Sequence, residues 1–163
     1  MVIEYPRRVD AEPVRLAHEV RPRETRTLDI AMIGTRGVPA SYGGFETAVE
    51  EIGRRLVERG HGVTVYTRGS QTRDRTYLGM KVVHLPALPV KQLETLSHTG
   101  LSAVHAVLGR RPDAAFVFNA ANSPFLPALR ARGIPTALHM DGLEWKRSKW
   151  GRRGKAYYRW AEE

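Results

Sequence analysis

The segment GTRGVPASYGGFETAVEEIGRRL, residues 34–56, places glycines and a proline between a short apolar run and an amphipathic helix. Gly43 and Gly44 come directly before the predicted first helical turn. Without side chains they can adopt positive φ and leave amide N–H groups open to a ligand. A helix N-terminus adds unpaired donors and a partial positive charge, which together favour a phosphate or carboxylate. The segment therefore predicts an anion site; the alternative is a tight turn that only packs a helix against a strand.

Three side chains near these glycines fit such a site. Arg36 would supply a charge-assisted contact to the anion, and Tyr42 would wall the pocket. Glu46, in the first turn, either complements the helix dipole or accepts hydrogen bonds from sugar hydroxyls. The spacing is neither the G-x-G-x-x-G of dinucleotide folds nor a P-loop, and the second predicted strand ends VYTRG, with no acidic residue for a ribose. A nicotinamide enzyme is therefore disfavoured.

The elements that position these residues alternate between strand and helix along the chain. Apolar runs predict five strands, at 28–34, 62–67, 80–88, 113–119 and 134–140. Helices are predicted at 45–59, 92–108, 123–133 and from 151 onward, and the polar stretch 68–79 reads as a loop. The first helix would bury a face made of Phe45, Ala48, Val49, Ile52 and Leu56, and the second a face made of Leu93, Leu96, Leu101, Val104 and Leu108. This order predicts an α/β fold, a Rossmann-like parallel sheet with helices on both faces.

Right-handed crossovers bring the C-terminal ends of parallel strands to one edge, where ligands bind. Asn119 and Asn122 follow the fourth strand and suit sugar hydroxyls, although asparagine is also common in turns. After the fifth strand, Asp141 could orient an acceptor hydroxyl or accept its proton, and His139 lies two residues earlier on the same strand face. The alternatives are that Asp141 caps a turn and that His139 is a satisfied strand residue.

A charged stretch comes directly after Asp141. Lys146 and Arg147 could neutralise a diphosphate or a phosphorylated lipid acceptor, with Glu144 beside them, or the three could form a solvated loop. The stretch opens a basic, aromatic tail, EWKRSKWGRRGKAYYRWAEE. Such a tail suits an anionic membrane surface, a surface between domains or, less well, a nucleic acid. Without an RNA- or DNA-binding motif, nucleic acid is the weakest of these readings.

Composition limits the remaining function classes. The 163 residues carry a net charge of +9 and contain no cysteine, which excludes disulfides and thiolate metal sites. The histidines are scattered, so no metal site is expected. No apolar run approaches the roughly 20 residues that span a bilayer, and the N-terminal residues lack a secretory core. Residues 1–27 have a mixed-charge composition that predicts a flexible extension, and the protein is expected to be cytoplasmic.

The residues IGTRGVPASYGGFETAVEEIGRRL together with DGLEWKRSKWG resemble the N-terminal domain of family-4, GT-B-fold retaining glycosyltransferases. The likeness is greatest to the rhamnosyltransferase-like subgroup of bacterial polysaccharide enzymes and covers residues 28–163. It implies a nucleotide-diphosphate sugar as donor and a glycan or lipid-linked acceptor, without a metal or other cofactor. Gly43 and Gly44 match the loop that faces the donor diphosphate in this family.

The resemblance also implies what the sequence lacks. The family's C-terminal Rossmann-like domain holds most of the nucleotide, and no second domain follows before Glu163. The chain is therefore expected to be the acceptor-side half of an enzyme, truncated at its C-terminal end, and to transfer no sugar alone. If the protein contacts a membrane, it is expected to do so peripherally, at the inner face. Many relatives carry a histidine where this chain has Asp141, which leaves its catalytic role a hypothesis. The first alternative function is that of a non-catalytic module that binds an anionic glycan or membrane. The second and less favoured alternative is a basic nucleic-acid-binding domain.

Overall fold

A computed structural model of the chain describes residues 26–41, 43–69, 74–90, 93–140 and 142–162. In the described residues, strands and α-helices alternate, and two short 3-10 helices precede α3 and α4. The elements are β1 (Asp29–Ile33), α1 (Gly44–Glu58), β2 (Gly62–Arg68), β3 (Thr76–Tyr77), β4 (Met80–Leu85), α2 (Glu94–Leu108), β5 (Ala114–Phe118), the 3-10 helix Ala120–Phe125, α3 (Leu126–Ala131), β6 (Thr136–His139), the 3-10 helix Glu144–Lys146 and α4 (Arg152–Glu162).

The sheet has the order β3-β4-β2-β1-β5-β6, and every neighbouring pair is parallel except β3 with β4. The chain moves outward from β1 to β4 and then crosses to β5 on the other side of β1. The strand order therefore reverses between β1 and β5, where α/β sheets bind ligands. The predicted α/β class, a Rossmann-like parallel sheet with helices on both faces, is confirmed.

The strand β3 was not predicted, because residues 68–79 read as a polar loop. Thr76 and Tyr77 instead pair with β4 in a tight antiparallel hairpin. Its two central residues, Leu78 and Gly79, have φ of 47° and 77°. Positive φ at both positions gives the twist that joins adjacent antiparallel strands, so the turn conformation overrides the polar composition.

The helix α1 packs on one face of the sheet largely as predicted. Val49 is fully buried, and Phe45, Ala48 and Leu56 pack partly buried around it. Ile52 is the exception, with 40% of its surface exposed. The sheet residues under α1 are mostly large and apolar: Met32, Val63, Val65, Met80, Val82 and Phe118. Large residues on helix and sheet interlock here, which gives α1 a well-filled apolar interface.

The helix α2 faces the sheet with the opposite side from the one predicted. Four of the five residues expected in the core are exposed: Leu93, Leu101, Val104 and Leu108. The buried side instead carries smaller and more polar residues: His98, Thr99, Ser102, Ala103 and Ala106. Both sets recur at helical spacing, so the period alone does not choose between them. Small side chains let α2 lie close to a sheet face that itself offers alanines, among them Ala31 and Ala115.

The C-terminal helix α4 closes the domain at the ligand-binding edge. Tyr158 is buried against Ala120 and Ala121, with Leu96, Trp145, Trp150 and Tyr157 packed partly buried around them. The Tyr157 hydroxyl donates to the carbonyl of Ala121 at 2.6 Å. The tail therefore packs on the turn that follows β5 and belongs to the domain.

Candidate functional site

The glycine loop between β1 and α1 obtains its shape from Gly34 and Gly37. Their φ values are 100° and 101°, a region that other residues rarely adopt. A side chain at Gly34 would lie 2.5 Å from the Phe118 carbonyl, and one at Gly37 would lie 2.1 Å from the Thr67 hydroxyl. The sequence prediction assigned the special glycine backbone to Gly43 and Gly44, and this part is wrong, since Gly43 is extended with φ of −168°.

Two carboxylates of α1 accept hydrogen bonds from backbone amides of the glycine loop. The Arg36 amide donates to Glu46 at 3.1 Å, and the Ala40 amide donates to Glu50 at 2.8 Å. Glu46 is only 6% exposed. Glu46 therefore anchors the glycine loop through its Oε1 atom. A contact between Glu46 and sugar hydroxyls would have to use its other carboxylate oxygen, Oε2. The partly exposed Arg36 side chain lies at the surface of this loop.

The N-terminus of α1 is open at the same edge of the sheet. Gly43 is its N-cap residue, and no side chain caps the helix there. Gly43 and Gly44 are both exposed, and a Cβ at Gly44 would meet no atom within 4 Å. The helix has 15 residues, so its dipole presents a partial positive charge at this end. These glycines serve as an accessible, uncapped helix start, which is the arrangement the anion hypothesis requires.

His139 lies beside this helix start. Its ring centroid is 5.5 Å from that of Phe45, in the first turn of α1, and 5.5 Å from that of Phe118 at the end of β5. The His139 carbonyl accepts from the Asn119 amide at 2.9 Å, and the residue is exposed. The fold therefore brings the end of β6 and the start of α1 together, with an imidazole at the surface between them.

The two asparagines after β5 shape the turn. Asn119 has φ of 73° and accepts the Ala121 amide on its side chain at 3.0 Å. Asn122 is fully buried and donates to the carbonyls of Phe118 at 2.7 Å and Gly34 at 3.4 Å. Asn122 thus ties the glycine loop to β5 at the point where the strand order reverses. Its predicted direct contact with sugar is not compatible with this burial, whereas Asn119 stays partly exposed.

Glu144 is the centre of an ion-pair network within the tail. It is 7% exposed, and its carboxylate accepts from Trp150 at 2.9 Å, from Lys149 at 3.1 Å and from Arg147 at 2.7 Å. Burial by itself would raise the pKa of Glu144, but these hydrogen bonds and cations outweigh burial and lower it. The predicted acceptor contacts of Glu144 and Arg147 therefore compete with contacts inside the tail. The exposed Lys146 lies over the Trp145 ring at 5.3 Å.

Tyr42 and Asp141, which the sequence assigned to the pocket wall and to proton transfer, lie outside the described residues. Their roles stay predictions. Among the described residues, no three histidine or carboxylate side chains gather where they could hold a metal ion. In the same part of the chain, no helix is long and apolar enough to span a membrane.

Sequence reasoning missed Arg68, the last residue of β2. Its side chain is only 11% exposed; it donates to Thr95 at 3.0 Å and lies 3.6 Å from the Glu94 carboxylate. Its backbone amide donates to the Arg36 carbonyl at 3.2 Å, so Arg68 also braces the glycine loop. Burial lowers the pKa of this guanidinium, and the charge of Arg36 adds to the shift. A charged residue that ends a buried strand at the binding edge was the available signal.

The buried polar face of α2 was also missed. His98 is 1% exposed, and burial lowers its pKa to about 4, so the imidazole is neutral near pH 7. Within the described residues, its Nε2 atom and the hydroxyls of Thr67 and Thr99 are buried without a hydrogen-bond partner. Polar residues recurring at steps of three and four, such as Thr95, His98, Thr99 and Ser102, were the pattern that could have revealed this face.

The match to a family profile identifies the family of this chain. The family profile described as "Glycosyl transferase 4-like domain" matches residues 43–163. A Klebsiella pneumoniae protein described as "Uncharacterized 42.6 kDa protein in cps region" is 31% identical over 61 residues, which are 36% of this chain and 16% of that protein. The crystal structure of the glycotransferase of kitacinnamycin is similar at a TM-score of 0.48 and 23% identity, covering 71% of this chain and 30% of that one.

The chain thus spans only a small part of either relative's length. The family match, in contrast, covers about three quarters of the chain and begins at the exposed glycines of α1. On this match, together with the parallel α/β sheet and the open helix start at its binding edge, the protein belongs to the glycosyl transferase 4-like family.

Proposed function

We propose that this chain is the acceptor-side domain of a glycosyltransferase that moves a hexose from a nucleotide-diphosphate sugar to a glycan or lipid-linked acceptor. The observation that carries the proposal is the uncapped, exposed start of α1 at Gly43 and Gly44, beside the exposed residue His139. It lies close to the reversal of strand order, in a chain of the glycosyl transferase 4-like family.

The reaction breaks the bond between the sugar's anomeric carbon and the diphosphate oxygen and forms one to an acceptor hydroxyl oxygen, which loses its proton. Negative charge develops on the departing diphosphate. The first-turn amides of α1 would stabilise that charge, because they are fixed donors that need no reorganisation. Arg36 adds a cation from the adjacent loop. Asp141 is assigned to the acceptor proton and His139 to orienting the acceptor or donor sugar.

Other parts of the proposal rest on the resemblance. A second Rossmann-like domain would hold most of the nucleotide, and the donor pocket would form only between the two domains. The 163-residue chain is therefore expected to transfer no sugar alone. Rhamnose as the sugar, retention of anomeric configuration, independence from metals and a site of action at the cytoplasmic membrane face are further predictions.

Calorimetric titration of the proposed two-domain enzyme with nucleoside diphosphates and inorganic pyrophosphate tests the anion site, because the donor pocket is proposed to form only between the domains. We expect Gly44→Val to weaken binding about tenfold, because its methyl groups would fill the space in front of the helix amides. The matched control is Gly151→Val, since a Cβ at either glycine would meet no atom within 4 Å. Both variants should fold, and the control should bind like the parent chain. Equal affinity of all three proteins would remove the anion site from the proposal.

An assay of sugar transfer from a panel of nucleotide sugars tests the activity. Turnover by the 163-residue chain alone would contradict the need for a second domain. The non-catalytic rival predicts that an anionic glycan is bound and never modified, even by the longest product of the gene. Binding of oligonucleotides with a steep salt dependence, and of no diphosphate, would favour the nucleic-acid rival.

A further inference from the structure

The outward side of α2 carries an apolar ridge that no other described element covers. Leu101, Val104 and Leu108 follow one another at helical spacing and are 44%, 53% and 79% exposed. Leu88, 52% exposed, extends the ridge, because its amide donates to the hydroxyl of Ser97 one turn before Leu101. Exposed apolar residues of this size in one row mark an interaction surface more often than chance exposure does.

A groove runs along this ridge between α2 and the end of β4. It has a volume of about 470 Å³ and is lined by Leu85, Pro86, Leu101, Val104, His105 and Leu108. The only acidic residue of α2 is Glu94, which lies at the other end of the helix and faces Arg68 at 3.6 Å. The ridge and groove therefore present apolar surface without a carboxylate.

Arginines surround the end of the ridge at Leu108. Arg110 lies two residues after Leu108, with its side chain 91% exposed. Arg132 donates to the carbonyl of Val107 at 3.1 Å, and Arg111 lies next to Gly133, so both border the last turn of α2. Asp29 and Asp113 also lie here, paired with Arg110 and Arg26. Four arginines against two aspartates leave this corner positive.

The tail, which the sequence suggested as the membrane-facing part, uses most of its aromatic rings internally. The rings of Trp150 and Tyr158 pack at an angle of 43° with centroids 4.9 Å apart, and Tyr158 is 6% exposed. Trp145 packs against the same cluster. Trp160 alone of the three tryptophans is largely exposed, at 61%. Met140, Leu143 and Trp160 also stay exposed near the tail, whereas Leu101, Val104 and Leu108 form a row along one side of α2.

We propose that the ridge of Leu88, Leu101, Val104 and Leu108 docks on an anionic lipid surface, with the arginines at its end contacting lipid headgroups. The positive charge favours anionic lipid as the binding partner, because an apolar helix face with a basic border on a protein of net charge +9 suits an anionic membrane surface. A second copy of the chain whose ridge packed parallel to this one would bring the same positive corner against itself. The docking does not depend on the sugar-transfer proposal.

Co-sedimentation of the 163-residue chain with vesicles tests this surface. One set of vesicles is phosphatidylcholine, and the other is an equimolar mixture of phosphatidylcholine and phosphatidylglycerol. We expect binding to the mixed vesicles, reduced about tenfold or more by Leu101→Ser, Val104→Ser and Leu108→Ser together. Arg110→Gln, Arg111→Gln and Arg132→Gln together should reduce binding by a similar factor, and more so at low salt.

The control is Ile52→Ser, which removes an apolar residue that is 40% exposed on α1. It should bind mixed vesicles like the parent chain, and circular dichroism should show that all variants are folded. Failure of the parent chain to bind mixed vesicles would overturn the proposal, and so would unchanged binding by the triple variant with serine at positions 101, 104 and 108. The proposal would also be overturned if light scattering gave a dimer mass for the parent chain and a monomer mass for the triple serine variant alone. The ridge would then be a contact between two copies of the chain.

Discussion

The helices α1 and α2 have the same length, 15 residues, and pack on opposite faces of one sheet, yet they use their apolar residues in opposite ways. In α1 the large apolar side chains point at the sheet, with Val49 fully buried. In α2 they point away, and Ala103, Ala106 and a set of polar residues face the sheet. Amphipathicity therefore predicts the buried face of a helix only when the surface beneath it has room for large side chains.

A matched pair of aspartate substitutions tests this contrast most strongly. Val49→Asp places a carboxylate at a position with 0% exposure, whereas Val104→Asp changes a position that is 53% exposed. We expect Val49→Asp to lower the free energy of unfolding by about 4 kcal/mol or more, through an unpaired buried charge. Val104→Asp should change it by less than about 0.5 kcal/mol. Urea unfolding followed by circular dichroism measures both; equal losses would mean that α2 buries its large apolar face after all.

The pH dependence of stability tests the polar side of α2. His98 faces the Thr67 backbone and Arg68 on β2, and Glu94 on its own helix. Its pKa is about 4 in the folded chain and 6.5 ordinarily, so the unfolded chain binds the extra proton between these values. The contribution of neutral His98 to the free energy of unfolding should therefore be fully present above pH 6.5. It should be lost as the pH falls to 4, which lowers the free energy of unfolding by about 3 kcal/mol.

His98→Gln is the comparison for that titration. Other groups also titrate in this range, so the measured quantity is the difference in slope between parent and variant. Removing the imidazole should flatten the loss of stability between pH 6.5 and 4. If both chains lose stability in parallel, His98 is not the buried neutral group that the packing of α2 implies.

A smaller effect sharpens the packing side of the comparison. Ala103 is 2% exposed against the sheet, and Leu101 is 44% exposed on the other side of the helix. Ala103→Leu should cost about 2 kcal/mol by overpacking the close contact between helix and sheet. Leu101→Ala should be nearly neutral, although it removes a larger side chain. The reverse order, measured by thermal unfolding, would contradict the observed orientation.

The strand positions and the glycine loop were predictable because they depend on local information. Apolar runs ending in turn residues placed β1, β2, β4, β5 and β6 within two residues of most of their ends. The hairpin at Leu78 and Gly79 was not predictable from composition, since it depends on backbone conformation. The start of α1 was predicted at residue 45, one residue after the observed Gly44. The glycines whose conformation shapes the loop are Gly34 and Gly37, and their neighbours come from β2 and β5.

The candidate site shows the same division. His139 and the start of α1 were expected at one edge of the sheet, which follows from the handedness of the connections. Glu46, Asn122 and Glu144 looked like ligand contacts because polar residues near a binding edge suit sugars. Each is instead largely buried in contacts with its own loop or tail. No site role was predicted for Arg68 or His98. Their positions at a strand end and on a helix face indicate such a role only when the neighbouring residues from other elements are known.

The sequence by itself determined the alternation of strands and helices, the glycines at the start of α1 and the family resemblance, all of which depend on residues close together in the chain. Only the tertiary structure decided which side of α2 meets the sheet and which polar side chains are committed to internal bonds. The physical reason is that helical spacing is equally compatible with two faces of α2. The choice between them depends on the size of residues such as Ala31 and Ala115, which come from distant strands.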